Sequence, residues 1–110
     1  RDSPHHQWTG LGTTHTAELP YLFGNLQFAA RNGDLSTLEL VDRRLSQAMM
    51  RYWTHFAATG DPNTDGLPVW PAFTDDTEDL LDLGAEIAAG HWPRPDGLDL
   101  LDRLFDDNQP

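Results

Sequence analysis

Cysteine is absent from the 110 residues, which excludes disulfides and thiolate metal sites and leaves the redox compartment open. Basic residues are scarce: 7 Lys and Arg face 18 Asp and Glu, a formal net charge of −11. Eleven of the acidic residues lie from Asp75 onward, where only Arg94 and Arg103 oppose them. Such a field disfavours nucleic acid and anionic lipid, which need clustered cations, so no nucleic-acid partner is expected. The acidic stretch reads as a solvated surface. No apolar run is long enough for a membrane-spanning helix. There is no G-x-S-x-G nucleophile elbow and no glycine-rich oxyanion loop. The serines are Ser3, Ser36 and Ser46, read as a frayed start, a helix cap and a helical position. His5, His6, His55 and His91 lack metal-ligand spacing, and His5-His6 is expected to face solvent. There is no initiating Met, and Arg1-Asp2-Ser3-Pro4 reads as a loop entered midway.

The strongest pattern present is helical. Leu38, Val41, Leu45, Met49, Tyr52, Trp53 and Phe56 recur at three- and four-residue steps, the spacing of one helix face. The pattern predicts a helix over 37–59, with Ser36 and Glu39 as a capping box. Gly60 would close its last turn, and Pro62 would prevent resumption. Tyr52, Trp53, Phe56, Trp70 and Phe73 are expected in the core. Residues 1–17 show neither period and read as loop. Pro20 fits the first turn of a short helix that Gly24 and Asn25 soon end. Asp79 to Leu83 reads as one strand, Ala85 to Pro95 as irregular, and Asp96 as the cap of a last helix carrying Leu98, Leu101, Leu104 and Phe105. Asp61-x-Asn63-x-Asp65-Gly66 mimics the opening of a calcium loop, but Ala72 stands where that loop needs a glutamate. A structural turn is the reading, with no metal site.

His15 is the candidate for chemistry. An imidazole with a pKa near 6.5 can take a proton from a hydroxyl nucleophile and return it to a leaving alcohol. A loop position would let it reach that nucleophile. Its surroundings are distinctive. Gly12, His15, Glu18, Leu19, Pro20, Phe23 and Gly24 follow a G-x-x-H-G-x-E-L-P-Y-x-F-G pattern. Leu45-Ser46, Met49, Tyr52-Trp53, Phe56-Ala57 and Thr59 to Asn63 follow an L-S-x-x-M-x-x-Y-W-x-x-F-A-x-T-G-D-P-N pattern. Leu67-Pro68, Trp70-Pro71 and Leu81 to Gly84 come next in order. From about Trp8 to Gly84 the chain resembles the type-B carboxylesterases, the α/β-hydrolases that include the cholinesterases.

The resemblance implies an α/β fold: residues 1–110 would be the incomplete C-terminal part of a carboxylesterase domain, mostly helix and loop with one short sheet strand. It implies a serine esterase acting on small-molecule carboxylic esters without metal or organic cofactor, with His15 as catalytic base. Nucleophile precedes acid and acid precedes histidine in such chains, so the first two would lie before Arg1, in an upstream portion that partners this one. The chain alone is then expected to be inactive. Glu18 would anchor the histidine loop through buried hydrogen bonds, or simply be a helix-start carboxylate. The pattern has glycine after the histidine, where this chain has Thr16. A β-carbon there is strained if the backbone needs positive φ. The rival reading is a non-catalytic binding protein on the same fold, or a truncated product without function, because the helix and turn motifs also serve packing.

Overall fold

One helix organises the molecule. The computed structural model describes residues 2–74, 76–91 and 95–106. Its central element, α3, spans Leu40–Thr59. Asp42, Leu45, Ser46, Ala48, Met49 and Tyr52 are buried along it, at the three- and four-residue steps that the sequence pattern required. The start falls later than expected. Leu38 is extended, and the capping box joins Glu39 to Asp42, whose Oδ2 accepts from the Glu39 N–H at 2.9 Å. Ser36 instead donates its own N–H to Asp34 Oδ1 inside a 3₁₀ turn, Leu35–Thr37. The helix closes as anticipated: Gly60 has φ 79° and donates to the Phe56 carbonyl.

Two short helices precede α3. Helix α1 covers Pro4–Thr9 and α2 covers Leu19–Leu22, with Pro20 in its first turn. Three 3₁₀ turns connect α2 to α3. α2 is fixed on α3 by two bonds: Tyr21 Oη donates to Asp42 Oδ1 at 2.8 Å, and Ser46 Oγ donates to the Tyr21 carbonyl at 2.6 Å. Around them Tyr21, Ala29, Ala30, Leu38, Leu45 and Met49 form one apolar cluster. A second cluster joins Ala48, Tyr52 and Leu81.

The hairpin closes both clusters. β1, Asp79–Leu83, pairs antiparallel with β2, Ile87–His91, Leu81 facing Ala89 and Leu83 facing Ile87. Leu83 and Ile87 pack on both clusters. α4 follows at Pro95–Asp106, and its Leu100, Leu101, Leu104 and Phe105 are exposed.

Several sequence expectations need correction. Residues 1–17 are not all loop, because Ser3 and Pro4 start α1: the Ser3 hydroxyl accepts from the His6 N–H, and Pro4 occupies a position whose N–H would be unpaired anyway. The segment after Gly84 is not irregular throughout, because β2 pairs there despite its weak strand formers Ala88, Ala89 and Gly90. Pro95 opens α4 rather than breaking it. The fold class stands, mostly helix and loop, with a short two-stranded sheet where one strand was expected. The aromatic group is also not all core. Tyr52 is fully buried and Trp70 half-buried, but Trp53, Phe56 and Phe73 are exposed.

Candidate functional site

The candidate histidine sits on a turn that is held at both ends. Residues 15–18 form the turn between an irregular stretch and α2. Its far end is set by Ala17 N–H donating to the Thr14 carbonyl at 3.1 Å and Leu19 N–H donating to the Thr16 carbonyl at 3.2 Å. Thereafter α2 is locked on α3. The near end is tied to α1. Thr13 Oγ1 donates to Asp2 Oδ1, and Thr14 Oγ1 lies 3.0 Å from His6 Nε2. α1 is itself docked, with the His5 N–H donating to the Ala29 carbonyl at 2.9 Å and the Arg31 guanidinium 5.6 Å from the Trp8 ring centre.

His15 itself is exposed, and no hydrogen bond occupies its imidazole among the described residues. Both ring nitrogens are therefore open to an incoming group. Thr16, next in the chain, has φ 67°. That is the left-handed region, unusual for a β-branched residue, so the strain that the glycine-to-threonine departure would bring is present in the backbone. Glu18 is exposed and stands at the head of α2 without a side-chain capping bond. The turn brings His15 and Glu18 into one segment but joins them by no hydrogen bond among the described residues.

Sequence reasoning missed His6. It is half-buried rather than solvent-facing, as is His5. Its Nδ1 is 2.9 Å from Ser3 Oγ, opposite the Nε2 contact to Thr14. The available signal was the Ser-Pro pair three residues before it, which places its ring beside the cap. The Ser3–His6 contact is not a nucleophile–base pair in working form. Ser3 is 1% exposed and its oxygen already accepts from the His6 N–H. Ser46 is likewise buried and committed to the Tyr21 carbonyl. Ser36 is exposed, but its hydroxyl donates to Asp34 Oδ1 at 2.7 Å, and a 3₁₀ turn lacks the strand-to-helix corner that activates a serine.

A cleft of about 570 Å³ opens elsewhere, lined by Tyr52, Trp53, Phe56, Pro62, Trp70 and neighbours but by neither His15 nor Glu18. At its rim the calcium-like segment is an Asx turn: Asp61 Oδ1 accepts from the Asn63 N–H at 2.9 Å and from its Nδ2 at 3.0 Å. These bonds hold the Asp61 carboxyl below its ordinary value. Asn63 braces Trp70 in turn, its Oδ1 accepting from the Trp70 N–H at 2.7 Å. Among the described residues no group of three or more acidic, His or Cys side chains could hold a metal ion, and no helix is long and apolar enough to cross a membrane.

The sequence model of the Carboxylesterase family matches residues 2–96. The chain belongs to the carboxylesterase family. It is 40% identical over 79 residues to carboxylesterase 5A of Felis catus, covering 69% of this chain and 14% of that protein. It is 42% identical over 76 residues to cocaine esterase of Homo sapiens, covering 69% and 13%. With phenmedipham hydrolase of Pseudarthrobacter oxydans it shares 38% over 90 residues, covering 78% and 18%. Among solved structures, a PNB esterase matches with a TM-score of 0.66 at 29% identity over 82% of this chain and 17% of that one. A thermophilic PNB esterase matches with a TM-score of 0.69 at 30% identity over 82% and 18%. The chain thus covers only 13% to 18% of the length of these carboxylesterases.

Proposed function

We propose that this carboxylesterase segment supplies the general base of a serine esterase, His15, to a site whose other groups come from further polypeptide. The carrying observation is an exposed imidazole with no hydrogen-bond partner among the described residues, on a turn braced at both ends, within a family-matched sequence. His15 would take the proton from a serine hydroxyl as it attacks the ester carbonyl. It would return that proton to the departing alcohol, leaving an acyl-enzyme that water then releases by the same route. The serine, the acid that orients the imidazole and the oxyanion donors lie outside these residues, because Ser3, Ser36 and Ser46 are committed elsewhere. The substrate class is a small carboxylic ester, and the chemistry calls for no metal or organic cofactor.

The test uses the complete esterase polypeptide that carries these residues, assayed with a short-chain activated ester. His15→Ala is expected to lower turnover by about 10⁴- to 10⁶-fold, the usual consequence of removing a triad member. His91→Ala, on the hairpin, is expected to leave turnover near native. The 110-residue chain alone is expected to show no organophosphate-sensitive turnover. Near-native activity in His15→Ala, or such turnover by the chain alone, overturns the assignment.

A further inference from the structure

We infer that His6 is a positioning residue for His15, acting through the hydroxyl of Thr14. The inference rests on the proposed catalytic role of His15. His6 bridges two hydroxyls with both ring nitrogens: Nδ1 is 2.9 Å from Ser3 Oγ, and Nε2 is 3.0 Å from Thr14 Oγ1. Ser3 is the fixed end of this bridge. It is buried at the start of α1 and bonded to the His6 backbone as well. Thr14 is the guided end, and His15 is the next residue. Each hydroxyl can donate or accept, so a neutral His6 satisfies both contacts whichever nitrogen carries the proton.

The bridge matters because the opposite side of the turn is already rigid. From Thr16 onward the backbone runs into α2, which two side-chain bonds fasten to α3. Immediately before Thr14 the chain forms no regular element: Gly12 has φ 66° and Thr13 is a bend. Without His6, the near end of the turn keeps, among the described residues, the exposed Thr13–Asp2 side-chain bond. His15 has no hydrogen bond of its own among the described residues to set its place, so its position relative to a nucleophile depends on where residues 14 and 16 hold its backbone. Misplacing a catalytic group by about 1 Å can cost on the order of 10²-fold in rate.

The experiment compares His6→Ala, Thr14→Val and Thr14→Ser in the complete esterase polypeptide, with kcat and KM measured separately. His6→Ala and Thr14→Val are expected to lower kcat about tenfold to a hundredfold, with KM within about twofold. Thr14→Ser keeps the hydroxyl and is expected to restore most of kcat. The double variant is expected to lose no more than the larger single loss, because both changes break one contact. Thr14 is exposed, so Thr14→Val reports even where His6→Ala unfolds the protein. Unchanged kcat in Thr14→Val, or equal losses in Thr14→Val and Thr14→Ser, overturns the positioning role while His15→Ala remains inactive. Retained turnover in His15→Ala instead overturns the base assignment, and the positioning role with it.

Discussion

Thr16 carries a local conflict beside the candidate base. Its φ of 67° lies where a β-carbon crowds the backbone, and threonine adds a second branch at that carbon. Such residues cost of order 1–3 kcal/mol, whereas glycine at the same place costs about 0.5–1 kcal/mol through its freer unfolded chain. The difference decides the sign: Thr16→Gly is expected to stabilise the complete esterase polypeptide by about 1 kcal/mol, read from the midpoint of denaturant unfolding. A lower midpoint would mean that the threonine side chain contributes more than its backbone costs. His15 and the glycine position after it were legible because a motif fixes residue types at fixed spacing. The value of φ at Thr16 was not, since it follows from where Thr14 and α2 hold the chain. His6 was illegible for a related reason. Nothing in a His-His pair shows that one ring will span two hydroxyls brought together by folding.

At the level of elements, periodicity identified α3 because its buried residues are dictated by 3.6 residues per turn, a property of the local chain. Its beginning was misplaced by three residues because Ser36, Glu39 and Asp42 repeat the capping spacing twice, and the extended Leu38 selects the second. β2 went unseen because its residues form strands weakly, and pairing with β1 supplies what propensity does not. The joint between α3 and the following loop gives a pH prediction. Tyr52 is 0% exposed, and its hydroxyl donates to the Pro68 carbonyl at 2.6 Å. Burial pushes its phenol above the ordinary value near 10, against a smaller opposing effect of Arg51. The ionised form is therefore disfavoured in the folded state. The stability this contributes is complete below about pH 10 and is lost as pH rises toward the folded-state value, because the unfolded chain releases its proton first. In the complete polypeptide, Tyr52→Phe is expected to cost about 1 kcal/mol at neutral pH through the lost bond. It is also expected to flatten the alkaline fall in stability, followed by denaturant unfolding across the alkaline range. An unchanged alkaline slope in Tyr52→Phe would place the titration elsewhere.

On the scale of the whole molecule, the apolar surface exceeds what these residues cover. The Cα radius of gyration is 16.7 Å, against about 13 Å for a compact domain of some 100 residues, and the extents are 53 × 35 × 22 Å. Large side chains stand exposed on several elements: Phe23 after α2, Phe28 in a 3₁₀ turn, Phe56 on α3 and Phe105 on α4. Among the described residues the sheet has two strands and no third neighbour on either outer edge, and a two-stranded hairpin is marginal in water without further cover. The net charge of −11 adds self-repulsion to any compact state. The sequence showed one strand, through its single apolar run, and the structure adds a second that pairs with it. The consequence is a test of folding on the 110 residues by themselves. α3 has a capping box, a glycine closure and a buried face against α2 and the hairpin, so partial helicity is expected in far-ultraviolet circular dichroism. Fixed tertiary packing is not, since Trp53 and Phe56 are exposed and Trp70 only half-buried. Heating is therefore expected to give a broad, gradual loss of helix with weak near-ultraviolet signals, rather than the all-or-none transition usual for small domains. On the proposed function, adding the upstream portion of the domain is expected to sharpen the transition and raise its midpoint, since binding to the folded form alone stabilises it. A single sharp transition in the chain alone, independent of concentration and accompanied by strong aromatic signals, would show that α3, α2 and the hairpin already form a self-sufficient core.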